Sequence, residues 1–108
     1  MNRIALVIGN SAYVNVSKLN NPKNDANDIA SVLHKLDFEV IKVMDARLID
    51  IQQAINAFLQ ALDEYAVGLL FYAGHGMQID GKNYILPVDL QLSDKGKTIV
   101  SCYCLNSF

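Results

Sequence analysis

Three apolar runs limit what this chain can fold into: "RIALVI" (3–8), "FEVIKV" (38–43) and "VGLLFYA" (67–73). The first and third are nearly continuous, as strands covered on both faces should be. Helical spacing fills the gaps between them. After the first run, "NNPKNDA" opens a helix, with Asn21 placed to cap it and Pro22 at its first helical position. Ala26, Ile29, Ala30, Leu33 and Leu36 continue that helix on one face. After the second run, Ile51, Ala54, Ile55, Phe58, Leu59 and Leu62 recur at the spacing of an amphipathic helix with a wide apolar stripe. Beyond the third run, "MQI" and "NYILPV" flank the Asp-Gly of "DGK" and read as a hairpin. The order is β-α-β-α-β-hairpin. Strands joined by helical crossovers imply a parallel sheet flanked by its helices, so the class is α/β.

With 108 residues the chain is one domain at most, and 52% hydrophobic content is enough for a core. A charged fraction of 19% argues against disorder. The formal net charge of -2 gives no electrostatic footprint for nucleic acid or an anionic membrane. No apolar run approaches the ~20 residues of a membrane span. The early run Ile4 to Ile8 is shorter than the roughly 7–15 residues of a signal-peptide core, so a cytoplasmic location is expected. Cys102 and Cys104 are spaced C-x-C, and alternate positions of an extended segment do not favour a mutual disulfide. A metal site would normally need about four ligands, and the only histidines are His34 and His75. Neither a metal nor another cofactor is expected.

The chemistry concentrates in "LLFYAGHGMQIDGKNYILPVD", Leu69 to Asp89. His75 falls two residues past the third strand, and ligands of open α/β sheets bind beyond the carboxyl ends of strands. Gly74 and Gly76 leave room for a peptide backbone, and the Gly76 N–H is free to face a developing oxyanion. The imidazole could take a proton from a thiol or hydroxyl and return one to a leaving amine. The plain alternative is a flexible Gly-His-Gly loop carrying an exposed histidine, and spacing alone leaves both readings open. Two phosphate-binding look-alikes fail. Gly96-Lys97-Thr98 would need a glycine where Gln91 stands, and "VIGN" lacks the further glycines of a dinucleotide fingerprint.

Three blocks, "RIALVIGNSAY", "LNNPKNDANDIASVLHKLDFEV" and "LLFYAGHGMQIDGKNYILPVD", together resemble the caspase-like cysteine peptidases, in particular their paracaspase and bacterial orthocaspase branch. The resemblance runs from Arg3 to Asp89. It implies a caspase–haemoglobinase three-layer sandwich with a mainly parallel sheet. It also implies a Cys/His dyad that cleaves peptide bonds through an acyl-enzyme without a metal. His75 takes the general acid/base position and Gly76 the oxyanion position. Asp25 falls where this branch carries an acidic S1-pocket residue, which would select Arg or Lys at P1 through a bidentate pair. The competing reading of Asp25 is a carboxylate in a helix's first turn, set against the macrodipole, a place Asp28 can also fill.

The family's nucleophile follows a fourth strand in a block like "LLDACR", after a helix beyond "PVD". Here "ILPVD" is followed by "LQLSDKGKTIVSCYCLNSF". Cys102 and Cys104 align more easily with the extended segment before that helix than with the nucleophile. The expectation over 1–108 is therefore a single partial catalytic domain, incomplete on its C-terminal side and inactive alone. Its third strand would be an apolar edge, a surface that recruits other chains. The expected partners are a peptide or protein substrate, and either a second copy or the remaining C-terminal part of the same protein. A reading from another class is a non-catalytic caspase-like module that binds a partner through that edge. A third is a flavodoxin-like ligand or signalling domain sharing the same element order.

Overall fold

The computed structural model describes residues 2–91 and 103–104. Strand β1 (Arg3–Gly9) leads through helix α1 (Pro22–Lys35) to β2 (Phe38–Met44), and through α2 (Leu48–Ala61) and a short 3-10 turn to β3 (Val67–Ala73). A hairpin of β4 (Gly76–Ile79) and β5 (Lys82–Ile85) follows, and β6 (Tyr103–Cys104) pairs with β5. The parallel sheet has the order β2-β1-β3, so the chain steps from β1 to one side and then crosses to the other. Right-handed crossovers to opposite sides place the two helices on opposite faces.

Side-chain alternation along β1 shows those two faces directly. Ile4, Leu6 and Ile8 pack with Ile51, Ala54, Ile55 and Phe58 of α2. Ala5 and Val7 pack with Ala26, Ala30 and Leu33 of α1. The result is three layers, helix–sheet–helix, with β1 buried at the centre. The α1 face is built from smaller side chains, and the helix comes close. A Cβ on Gly9 would lie 2.7 Å from the Ala26 Cβ and 2.9 Å from the Pro22 carbonyl oxygen. Glycine at the end of β1 is what lets the first turn of α1 sit against the carboxyl edge of the sheet.

Several expectations need correction. Pro22 does open α1, but Asn21 makes no side-chain cap; its own backbone is already helical at φ -102 and ψ -20. The second amide of the helix, Lys23 N–H, instead donates to Ser11 Oγ at 3.3 Å, a cap from the loop after β1. Leu36 follows the helical spacing but ends the helix and stays 54% exposed, so the apolar stripe closes at Leu33. Strand β3 reads as a buried strand from its apolar run but, as expected for the partial domain, is a sheet edge among the described residues, with Val67 and Leu69 exposed. The hairpin is as expected. Asp80 (φ 50) and Gly81 (φ 77) both take positive φ, as a two-residue type I′ turn requires. No helix among the described residues is long and apolar enough to cross a membrane. Gly96, Lys97, Thr98 and Cys102 lie outside the described residues.

Candidate active site

Because β2 and β3 flank β1, the strand order reverses between the carboxyl ends of β1 and β3, the place where open α/β sheets bind ligands. Gly9 and Ala73 are paired there, and the Asn10 N–H donates to the Ala73 carbonyl at 2.9 Å. The loop after β1 and the loop carrying His75 therefore leave the sheet side by side.

Asn10 fastens what lies above. Its side chain is fully buried; Oδ1 accepts the Ala46 N–H at 2.7 Å, and Nδ2 reaches the carbonyls of Ala46 (3.4 Å) and Leu86 (3.2 Å). One amide thus joins the loop after β1, the β2–α2 connection and the segment after the hairpin. Asp89, in that last segment, caps α2 by accepting the Leu48 N–H at 2.9 Å. Tyr13, Leu86, Val88 and Leu90 form a small apolar cluster that roofs the sheet end.

Asp45 holds the loop after β1 from the other side. Its Oδ1 accepts the Ser11 and Ala12 N–H groups, each at 3.0 Å, and its Oδ2 lies 3.0 Å from Lys23 Nζ. Burial pushes this carboxyl's pKa up, but the two amides and Lys23 outweigh burial and hold it below the ordinary 3.8. A folded-state pKa below the unfolded one adds stability that is present above the unfolded value and lost as pH falls through the folded value. Asp45 sits in the left-handed region at φ 51, which asparagine also tolerates. Asp45→Asn should therefore keep the turn and lose the charge. Urea unfolding should show a smaller loss of stability between neutral pH and about pH 3 in the variant than in wild type. Parallel acid limbs would contradict this.

His75 stands two residues past β3, half-buried, with both its peptide and its ring engaged. Its N–H donates to Tyr13 Oη at 2.8 Å, and its carbonyl accepts Tyr72 Oη–H at 2.6 Å and the Leu86 N–H at 3.1 Å. The ring meets the Tyr13 ring edge-on, centroids 4.6 Å apart. Its Nε2 lies 2.8 Å from the Ser17 carbonyl oxygen. A carbonyl can only accept, so Nε2 carries the proton in the neutral ring and Nδ1 is left as the base. Among the described residues Nδ1 has no hydrogen-bond partner.

Gly76 opens β4 and is exposed. The Leu86-to-His75 bond marks positions 75 and 86 as a hydrogen-bonded pair, so the next pair, Gly76 and Ile85, is not one. The Gly76 N–H therefore points away from β5, next to the histidine. Asp25 lies exposed in the first turn of α1, the turn packed against Gly9 at this same edge of the sheet. Its carboxylate makes no ion pair and no hydrogen bond among the described residues. His75, Gly76 and Asp25 thus share one end of the sheet, while no contact joins Asp25 to His75. Cys104 lies in β6, opposite Tyr84 and separated from β4 by β5, and has no hydrogen bond to His75. Among the described residues no group of His, Cys, Asp and Glu is arranged to hold a metal. A cleft of about 650 Å³ lined by Asn2, Arg3, His34 and Glu64 lies at the opposite end of the strands, away from this site.

Asn10, Tyr13, Ser17 and Tyr72 carry much of this arrangement and had no signal in the sequence. Ser17 acts through its backbone oxygen, which any residue would supply. The other three meet partners far away along the chain.

Comparison with known proteins identifies the family. The family model of the caspase domain matches residues 2–108. The human mucosa-associated lymphoid tissue lymphoma translocation protein 1 is 38% identical over 87 residues, 81% of this chain and 11% of that protein. Its mouse homolog is also 38% identical over 87 residues, 10% of its length. The chain thus spans about a tenth of the curated relatives it matches. With the three-layer parallel sheet, the matched family model and these relatives in agreement, the chain belongs to the caspase-domain family of cysteine peptidases.

Proposed function

We propose that this domain provides the general acid/base and the P1-recognition carboxylate of a cysteine endopeptidase that cleaves after Arg or Lys. The observation that carries the reading is the bond from His75 Nε2 to the Ser17 carbonyl, which fixes the tautomer and leaves Nδ1 as a base. Nδ1 takes the proton of a cysteine thiol, and the thiolate attacks the scissile carbonyl carbon. The oxyanion forms beside the Gly76 N–H, and Nδ1–H protonates the leaving amine. Water then hydrolyses the acyl-enzyme. The thiol is not that of Cys104, which pairs with Tyr84 in the hairpin sheet and has no hydrogen bond to His75.

Asp25 serves the P1 side chain. Its exposed carboxylate, without an ion-pair partner among the described residues and at the same sheet end as His75, suits a guanidinium or ammonium. The test uses the full-length protein and fluorogenic peptides with Arg, Lys or Asp at P1. Arg and Lys peptides should be cleaved, and Asp25→Ala should raise KM or lower kcat/KM for them by about tenfold or more, the scale of one lost charge-assisted pair. Equal cleavage of Arg peptides by Asp25→Ala would return Asp25 to a helix-terminus role. Preference for Asp at P1 would overturn the specificity.

One observation favours a second reading, a non-catalytic interaction module. The edge of β3 exposes Val67 and Leu69, at 38% and 36%, as apolar side chains on a strand that among the described residues pairs on one side only, with β1. That reading predicts a stable complex with no peptidase activity in the full-length protein.

A further inference from the structure

We infer that the paired hydroxyls of Tyr13 and Tyr72 form a backbone clamp that sets the position of His75, making both tyrosines positioning residues for the proposed peptidase. The inference rests on the reading of His75 as the acid/base.

Its basis is hydrogen accounting. Three short contacts run in a ring: His75 N to Tyr13 Oη at 2.8 Å, Tyr13 Oη to Tyr72 Oη at 2.9 Å, and Tyr72 Oη to the His75 carbonyl oxygen at 2.6 Å. A phenol has one hydrogen to donate. The His75 carbonyl cannot donate, so the Tyr72 proton must fill the 2.6 Å contact. Tyr72 Oη then has to accept from Tyr13, and Tyr13 Oη accepts the His75 amide. One assignment supplies a proton to every contact, and it closes a directional loop that begins and ends on the peptide groups of His75. Leu86 O, also near both hydroxyls, is served by Asn10 Nδ2.

The loop stands in for a missing rung of the β4–β5 ladder. At a hydrogen-bonded antiparallel pair each residue donates to the other. Leu86 does donate to the His75 carbonyl, but the return bond from the His75 N–H is made to the inserted Tyr13 hydroxyl. The hairpin therefore begins one residue later, at Gly76, and His75 is held by side chains instead of by the ladder. Gly74 makes room for the insertion: a Cβ there would lie 2.5 Å from Tyr72 Oη and 2.7 Å from Tyr13 Oη. Burial raises the pKa of both phenols, so the clamp keeps its protons across the working pH range of a peptidase.

Apart from the Leu86 carbonyl, 3.1 Å from Tyr13 Oη and 3.2 Å from Tyr72 Oη, the hydroxyls meet each other and the peptide groups of His75. Tyr13 is buried in the roof cluster, where a phenylalanine ring would pack as well, and Tyr72 packs against the main core through its ring. Their polar ends converge on His75, whose Nε2 must reach Ser17 and whose Nδ1 must face the reacting thiol. Displacements near 1 Å at such a group cost about 10²-fold in rate.

The experiment uses Tyr13→Phe, Tyr72→Phe and the double variant in the full-length protein, with two readouts. Amide hydrogen exchange is followed at His75, with Leu6 and Ile8 in central β1 as controls for global stability. Steady-state kinetics is measured on Arg peptides. The clamp predicts at least about tenfold faster exchange at His75 in Tyr13→Phe with Leu6 and Ile8 unchanged. It also predicts kcat lowered about ten- to a hundredfold with KM within about twofold, as for loss of positioning without loss of binding. The double variant should be no worse than about the poorer single variant, because one closed loop is broken once. Unchanged His75 exchange in both single variants, or kcat within about twofold of wild type, would overturn the inference. A wild-type protein without peptidase activity would sink the functional reading instead, and His75 exchange alone would then decide whether the clamp exists.

Discussion

Replacing His75 with alanine should lower kcat/KM on Arg and Lys peptides by about 10²–10⁴-fold, the range supplied by a positioned acid/base. The side chain is half-buried, and all three of its backbone hydrogen bonds survive the substitution, so the fold should be retained. The loss is then chemical. Without the imidazole nothing takes the thiol proton and nothing protonates the leaving amine. KM should move little, because the ring contacts Tyr13 and Ser17 and not Asp25, the proposed P1 carboxylate. His75→Gln is a useful companion: it can still donate to the Ser17 carbonyl but cannot serve as a base at Nδ1. Equal loss in His75→Ala and His75→Gln places the effect in proton transfer. Activity in either variant within about threefold of wild type would remove His75 from the mechanism.

The largest effect on stability is expected from Asn10→Ala. The change strands the buried Ala46 N–H, whose acceptor is Asn10 Oδ1 at 2.7 Å, and removes two further bonds to the Ala46 and Leu86 carbonyls. A buried donor without a partner costs about 1–3 kcal/mol, and the lost side chain leaves a small cavity besides. A total of about 2–4 kcal/mol is a large share of the 5–15 typical of a domain. The melting temperature should fall on the order of 10 °C, as read by thermal unfolding. Asn10 also sits beneath the site, so the loops after β1 and β3 should loosen together. A change below about 1 kcal/mol would mean that water or another group replaces the amide readily.

Much of the scaffold could be read from periodicity. The 3.6-residue spacing of Ile51, Ala54, Ile55 and Phe58 reappears as the face of α2 against Ile4, Leu6 and Ile8. The Asp-Gly pair at 80 and 81 gave the hairpin turn, because few residues other than these adopt two successive positive φ values. Such signals are local, and each is carried by side chains a few residues apart. What escaped was long-range or carried by the backbone. The strand order β2-β1-β3 leaves no local mark, and the apolar run of β3 alone reports the surroundings a strand suits, not which strands pair with it; its edge position follows instead from the resemblance, which puts a fourth strand beside it. Asn10 bonds across 36 and 76 residues, and Tyr13 reaches His75 across 62. "VIGN" lacks the further glycines of a nucleotide fingerprint, yet its asparagine fastens the site. Asn21 shows the opposite failure: a good capping residue at the right position, displaced when Ser11 arrives from another loop.

The central claim is that His75 serves a cysteine nucleophile outside the hairpin sheet. The direct test is to treat the full-length protein with a peptidyl acyloxymethyl ketone carrying Arg at P1 and to map the adduct by mass spectrometry. The account predicts one thioether on a cysteine other than Cys102 and Cys104, formed in wild type and absent in His75→Ala. An adduct on Cys104 or Cys102, or labelling that His75→Ala leaves unchanged, would contradict it.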